Sequence, residues 1–141
     1  MALLQVGVAA NDWTEAISAA GQLLVDAGHV KPEYTTEMIR VVEELGPYIV
    51  LIEGFALAHA APGDLVHQNG ISLVVLDKPV DFGFGKMVTC VFAMAAKDHD
   101  SHIDSLGRMA DLLSDEQIRN TLLNGANSAQ IEKLLAGVLG E

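Results

Sequence analysis

Basic side chains are scarce in this chain: eight Lys and Arg stand against 19 Asp and Glu, a formal net charge of −11. Binding a nucleic-acid backbone requires a basic patch to displace counterions, so no nucleic-acid partner is expected, and a basic protein surface suits the surplus. Cysteine is scarcer still. With Cys90 alone, an intrachain disulfide framework cannot form, and the apolar run around it at 88–95 reads as a buried strand with an inert thiol. No apolar run reaches the roughly 20 residues that span a bilayer. The first residues also lack the charged region and cleavage site of a secretory signal, so a cytoplasmic location is expected.

What the chain has in quantity is apolar surface. Half of its 141 residues are hydrophobic, enough for one domain, 1–141, with a sizeable core and neither repeat nor linker. Leu3–Ala9 reads as a strand, and Asp12 to Glu15 has capping-box spacing before a helix that buries Ala16, Ile17, Ala20, Leu23 and Leu24. Trp13 anchors this helix and Gly28 ends it, with His29 in the turn. Pro32 opens a second helix facing inward with Met38, Val41, Val42 and Leu45, and Gly46-Pro47 stops it.

Extended segments follow at 48–52, 55–59, 71–77 and 87–96, and their continuous apolar character suits a sheet covered on both faces. The tail is helical. Ile103, Leu106, Met109 and Leu113 form one stripe, Ser114 to Gln117 offers a second capping box before Ile118, Leu122 and Leu123, and Gly125 closes that helix. A last helix is capped by Ser128 and buries Ile131, Leu134, Leu135 and Val138. The expected fold class is α/β: a sandwich of a mixed β-sheet flanked by helices.

Chemistry concentrates at two histidine segments, GFALAHA at 54–60 and DHDSHI at 98–103. His59 falls at the end of a strand-like run, and His102 falls in the first turn of a helix begun by Asp98, Asp100 or Ser101. Neutral imidazole is a nucleophile near pH 7, and first-turn amides favour negative charge beside them. Together they could share one phosphoryl group. Asp98 and Asp100 read as caps, His99 and His67 as exposed turn residues, and Met87, Met94 and Met109 as core filling. A metal site from His59, His67, His99 and His102 is the alternative chemistry, although the two-residue gap between His99 and His102 falls short of the His-x₃-His spacing of one helical face.

At these residues the chain resembles the enzyme IIA components of the bacterial sugar phosphotransferase system (PTS), in the mannitol and fructose superfamily, and within it the ascorbate-specific branch. The resemblance rests on GPYIV at 46–50, GFALAHA at 54–60, GISL at 70–73, KPVDFG at 78–83, DHDSHI at 98–103 and LLSDE at 112–116, taken in order. It implies the mannitol/fructose-type IIA fold, no cofactor, and a phosphohistidine at His59, loaded by phospho-HPr and unloaded onto a cysteine of a cognate IIB component. The membrane IIC partner is then met only indirectly. By the same resemblance His102 stabilises the phosphoryl group.

The mannitol-type motif has proline before its histidine where this chain has Ala58, as the ascorbate-like branch does. The mannitol branch also carries an arginine that here corresponds to about Glu43, and the 82–87 turn is shorter than usual. A regulatory IIA-like protein, whose partner binding depends on phosphorylation, is the other function the resemblance admits. Phe55, Leu57 and Phe84 are candidates for an apolar rim that keeps water from a phosphohistidine, or equally for plain core residues. A chain with several apolar faces is also a candidate homodimer.

Overall fold

The computed structural model describes residues 3–139. Five strands form one mixed sheet: β1 (Leu4–Val8), β2 (Val50–Ile52), β3 (Gly54–His59), β4 (Gly70–Asp81) and β5 (Met87–Ala95), in the order β1-β4-β5-β3-β2. β1 runs parallel to β4 and β3 parallel to β5, while β4/β5 and β2/β3 are antiparallel. Helices α1 (Trp13–Asp26) and α2 (Glu33–Leu45) cover one face; α3 (His99–Leu113), α4 (Glu116–Leu123) and α5 (Ser128–Leu134) cover the other. The expected α/β sandwich is what forms.

Strand alternation divides the core. Ala56, Ala58 and Ala60 point with Ala93 and Ala95 toward α1 and α2, whereas Phe55 and Leu57 point with Phe92 and Met94 toward α3–α5. Small side chains on the first face let α1 sit close, and its Ala20 carbonyl accepts the Ser72 hydroxyl at 2.7 Å. Larger side chains on the second face fill the space beneath α3, α4 and α5. By the same period of two, His59 follows Phe55 and Leu57 toward the α3 side.

Local signals set most helix ends. Asp12 caps α1 by accepting the Glu15 N–H at 2.9 Å, but the Glu15 carboxylate reaches back to the N–H of Asn11, one residue before the cap. Gly28, at φ 80°, closes α1 in a Schellman arrangement, with His29 N–H donating to Leu24 and Gly28 N–H to Val25. Pro32 stands at the N-cap of α2.

Other expectations are corrected. Asp115, not Ser114, caps α4, accepting the Gln117 and Ile118 N–H groups, because Ser114 is still engaged as the C-cap of α3 through its hydroxyl on Asp111. Asn127, not Ser128, caps α5 and forms a full capping box with Gln130. β2 starts at Val50 because Tyr48 and Val50 N–H groups close turns on Gly46 and Pro47. β4 runs on to Asp81, past Pro79, since its last residues pair only with β5 and the missing N–H costs no ladder bond to β1, whose pairing ends at Leu76. Leu45, Ile103, Leu123 and Leu134 are exposed rather than core, each lying at the margin of its helix's buried stripe.

Candidate functional site

His59 is the last residue of β3, paired in register with Met94 of β5. Its ring is half-buried, and Nδ1 lies 2.9 Å from the carbonyl oxygen of Leu57. A carbonyl only accepts, so Nδ1 carries the proton and donates it, leaving Nε2 with a free lone pair. The chain thereby fixes one imidazole tautomer with its own backbone two residues earlier.

β5 ends at Ala95, and the chain turns through Lys97 into α3. Asp98 caps α3, its carboxylate accepting the Ser101 N–H at 2.8 Å, and that bond holds its pKa below the usual carboxylate range. The cap places His102 in the first turn of α3 directly over the end of β3. The His59 and His102 ring centroids are 5.6 Å apart with the planes tilted by 51°. Burial is the main cause that lowers the His102 pKa, with repulsion from His59 and His99 adding to it. His102 is therefore poised toward its neutral form at pH 7, at a helix N-terminus that favours an anion.

The structure brings the rings of His59 and His102 together, with His99 near enough to His102 to repel it and His67 and His29 elsewhere. His67 and His99 are exposed, and His29 is buried with Nδ1 donating to the Asn69 carbonyl at 2.8 Å. Among the described residues no three His, Cys, Asp or Glu side chains are placed to hold a metal ion, which leaves the histidine-metal alternative without a constellation. Asp100 is exposed in the first turn of α3, and Cys90 is buried, its thiol pushed up to about 12 by burial.

The apolar rim is corrected. Phe55 and Leu57 are core residues, and Phe84, 94% exposed, sits in the turn at the opposite end of the sheet from His59. Glu43 is exposed near the C-terminus of α2.

Tyr34, in the first turn of α2, is the site neighbour that sequence reasoning missed. It is buried, and its hydroxyl donates to the Met94 carbonyl at 2.7 Å and accepts the Ala60 N–H at 3.1 Å. Burial pushes its pKa up to about 12, against an opposing hydrogen bond with Ala60. The available signal was an aromatic with a polar tip on an apolar helix face, a group that must find a partner when buried.

The two imidazoles and the helix start above them make a place at the sheet end suited to an anionic group. The family described as "Phosphoenolpyruvate-dependent sugar phosphotransferase system, EIIA 2" matches residues 2–137, and the chain belongs to it. It is thus a IIA component of the sugar phosphotransferase system, a phosphotransferase component working through a phosphohistidine. The ascorbate-specific PTS EIIA component of Salmonella typhimurium is 36% identical over 110 residues, covering 76% of this chain and 71% of the relative. The mannitol-specific cryptic enzyme IIA of Escherichia coli superposes with a TM-score of 0.86 at 29% identity, covering 96% of this chain and 92% of that one. The Escherichia coli mannitol enzyme IIA, solved in complex with its phosphorylated enzyme IIB, gives a TM-score of 0.81 at 27% identity over 96% and 94% of the two chains. Among the described residues no helix is long and apolar enough to cross a membrane.

Proposed function

We propose that this chain, acting as one domain, takes a phosphoryl group from phospho-HPr onto Nε2 of His59 and passes it to a cysteine of a cognate IIB component. The observation that carries this reading is the 2.9 Å bond from His59 Nδ1 to the Leu57 carbonyl, which leaves Nε2 as the nucleophile. In the first step a bond forms from Nε2 to phosphorus as the donor's phosphorus–nitrogen bond breaks, and the electron pair stays on the donor imidazole. In the second, a thiolate displaces His59. Such transfers need positioning and stabilisation of spread charge more than covalent help.

His102 supplies that stabilisation. Its ring N–H donates to a phosphoryl oxygen and, with the first-turn amides of α3, offsets an incoming charge of about −1.5 to −2. Its lowered pKa keeps it neutral before loading, and the phosphoryl group then favours its protonation, so loading and proton uptake are coupled. Ala58 before the histidine and the likeness to an ascorbate-specific relative support L-ascorbate or a related sugar as the molecule moved by the membrane partner. Phosphoenolpyruvate, enzyme I and HPr given to the purified protein should yield one acid-labile phosphate per chain on His59. A folded protein that takes up none would overturn the reading.

A further inference from the structure

The parallel ladder of β3 and β5 reaches its end at the His59–Met94 pair. Immediately beyond it the Ala60 N–H and the Met94 carbonyl face each other in a buried place, since Ala60 is 5% and Met94 0% exposed. Burial keeps water from them, and the strand pairing has ended one residue earlier. The Tyr34 hydroxyl is inserted there as a substitute rung, accepting from Ala60 at 3.1 Å and donating to Met94 at 2.7 Å. A hydroxyl can do both at once, whereas a lone carbonyl oxygen or a lone N–H could satisfy only one side.

This rung has a consequence for the imidazole. His59 is held between two fixed points of its own backbone: the Leu57 carbonyl that receives its Nδ1 proton, and the Ala60 amide tied to Tyr34. If Ala60 is released, the strand end at 59–60 can shift while Leu57 stays held in the sheet, the ring moves from the Leu57 carbonyl, and both tautomers become available. The geometry points to Tyr34 as a positioning residue that sets the tautomer and aim of His59 by splicing the last rung of the β3–β5 ladder. Its kinetic consequence rests on the carrier reading of His59; its spectroscopic consequence does not.

Tyr34→Phe keeps the buried ring and removes only the hydroxyl. The test compares its His59 ring-nitrogen NMR shifts and its rate of labelling by phospho-HPr with those of the wild type. The Nδ1–H form should dominate in the wild type, while the variant shows a mixture of tautomers and labels about 10- to 100-fold more slowly, the size expected for loss of alignment at a reacting atom. Ser72→Ala, which deletes another buried hydroxyl bonded to a carbonyl at 2.7 Å, is the control and should leave the His59 signals unchanged.

Unchanged tautomer and rate in folded Tyr34→Phe would overturn the proposal, as would an equal disturbance in Ser72→Ala. Should Tyr34→Phe not fold, 3-fluorotyrosine at position 34 in a Tyr48→Phe background keeps the shape and alters the hydroxyl's hydrogen bonding. His59 shifts that then stay fixed would sink the idea equally. A wild type with the expected tautomer but no labelling would defeat the carrier reading and leave the positioning claim standing.

Discussion

His29 and His59 make the same kind of bond in two different settings, one across 40 residues of chain and one across two. Each donates from Nδ1 to a backbone carbonyl, at 2.8 Å to Asn69 and 2.9 Å to Leu57. His29 is 6% exposed, packed against Gly70 so tightly that a Cβ there would meet its ring, and its backbone carbonyl receives the His67 and Gln68 N–H groups. It is a strut between the end of α1 and the start of β4. His59 is half-buried at a strand end, with a second imidazole 5.6 Å away and a helix N-terminus beside that one. Tautomer control is therefore common to both, and under the proposed function what separates a reactive histidine from a structural one is access to the other nitrogen and the polarity of its surroundings.

That contrast can be broken most severely by replacing His59. Under the proposed function His59→Ala and His59→Gln should abolish acid-labile labelling from phospho-HPr with the fold intact by circular dichroism, whereas His29→Ala should label normally. Next in size is His102→Ala, which should still label but about 100- to 1,000-fold more slowly, as loss of one donor to a transferring group does; rapid-quench labelling measures it. The His29 side is tested by stability. Gly70→Ala should lower the folding free energy by about 1–3 kcal/mol through overpacking, read from the urea midpoint, with labelling preserved.

The smallest effect concerns pH. His102 has a folded pKa below its ordinary 6.5, so the unfolded chain binds the extra proton first. Its contribution to stability is complete above that ordinary value and is lost as pH falls through the folded value. Urea midpoints between pH 7.5 and 5 should therefore fall less steeply in His102→Gln than in the wild type.

Much of this arrangement was legible in the chain. Gly28 and Gly125 ended helices as expected, Asp98 capped α3, and the apolar runs at 55–59, 71–77 and 87–96 became the central strands. The apolar positions at 55 and 57 also fix which face His59 takes, once the strand is granted. Misplaced caps at Ser114 and Ser128 arose because neighbouring Ser, Asp and Asn side chains compete for the same first-turn amides, and one residue of offset decides the winner. Phe84 was misread as a rim because nothing local tells which end of a sheet a turn occupies.

Local chemistry thus determined most of the helix ends, the buried strands, the strand-end place of His59 and the helix-start place of His102, since each depends on residues within a few positions of one another. The tertiary structure alone decided that β3 and β5 lie side by side, that His102 stands over His59, and that the hydroxyl of Tyr34 closes the ladder beside them. The physical reason is distance along the chain: bonds spanning 26 and 60 residues are set by how the sheet and its covering helices pack, and no local pattern encodes that choice.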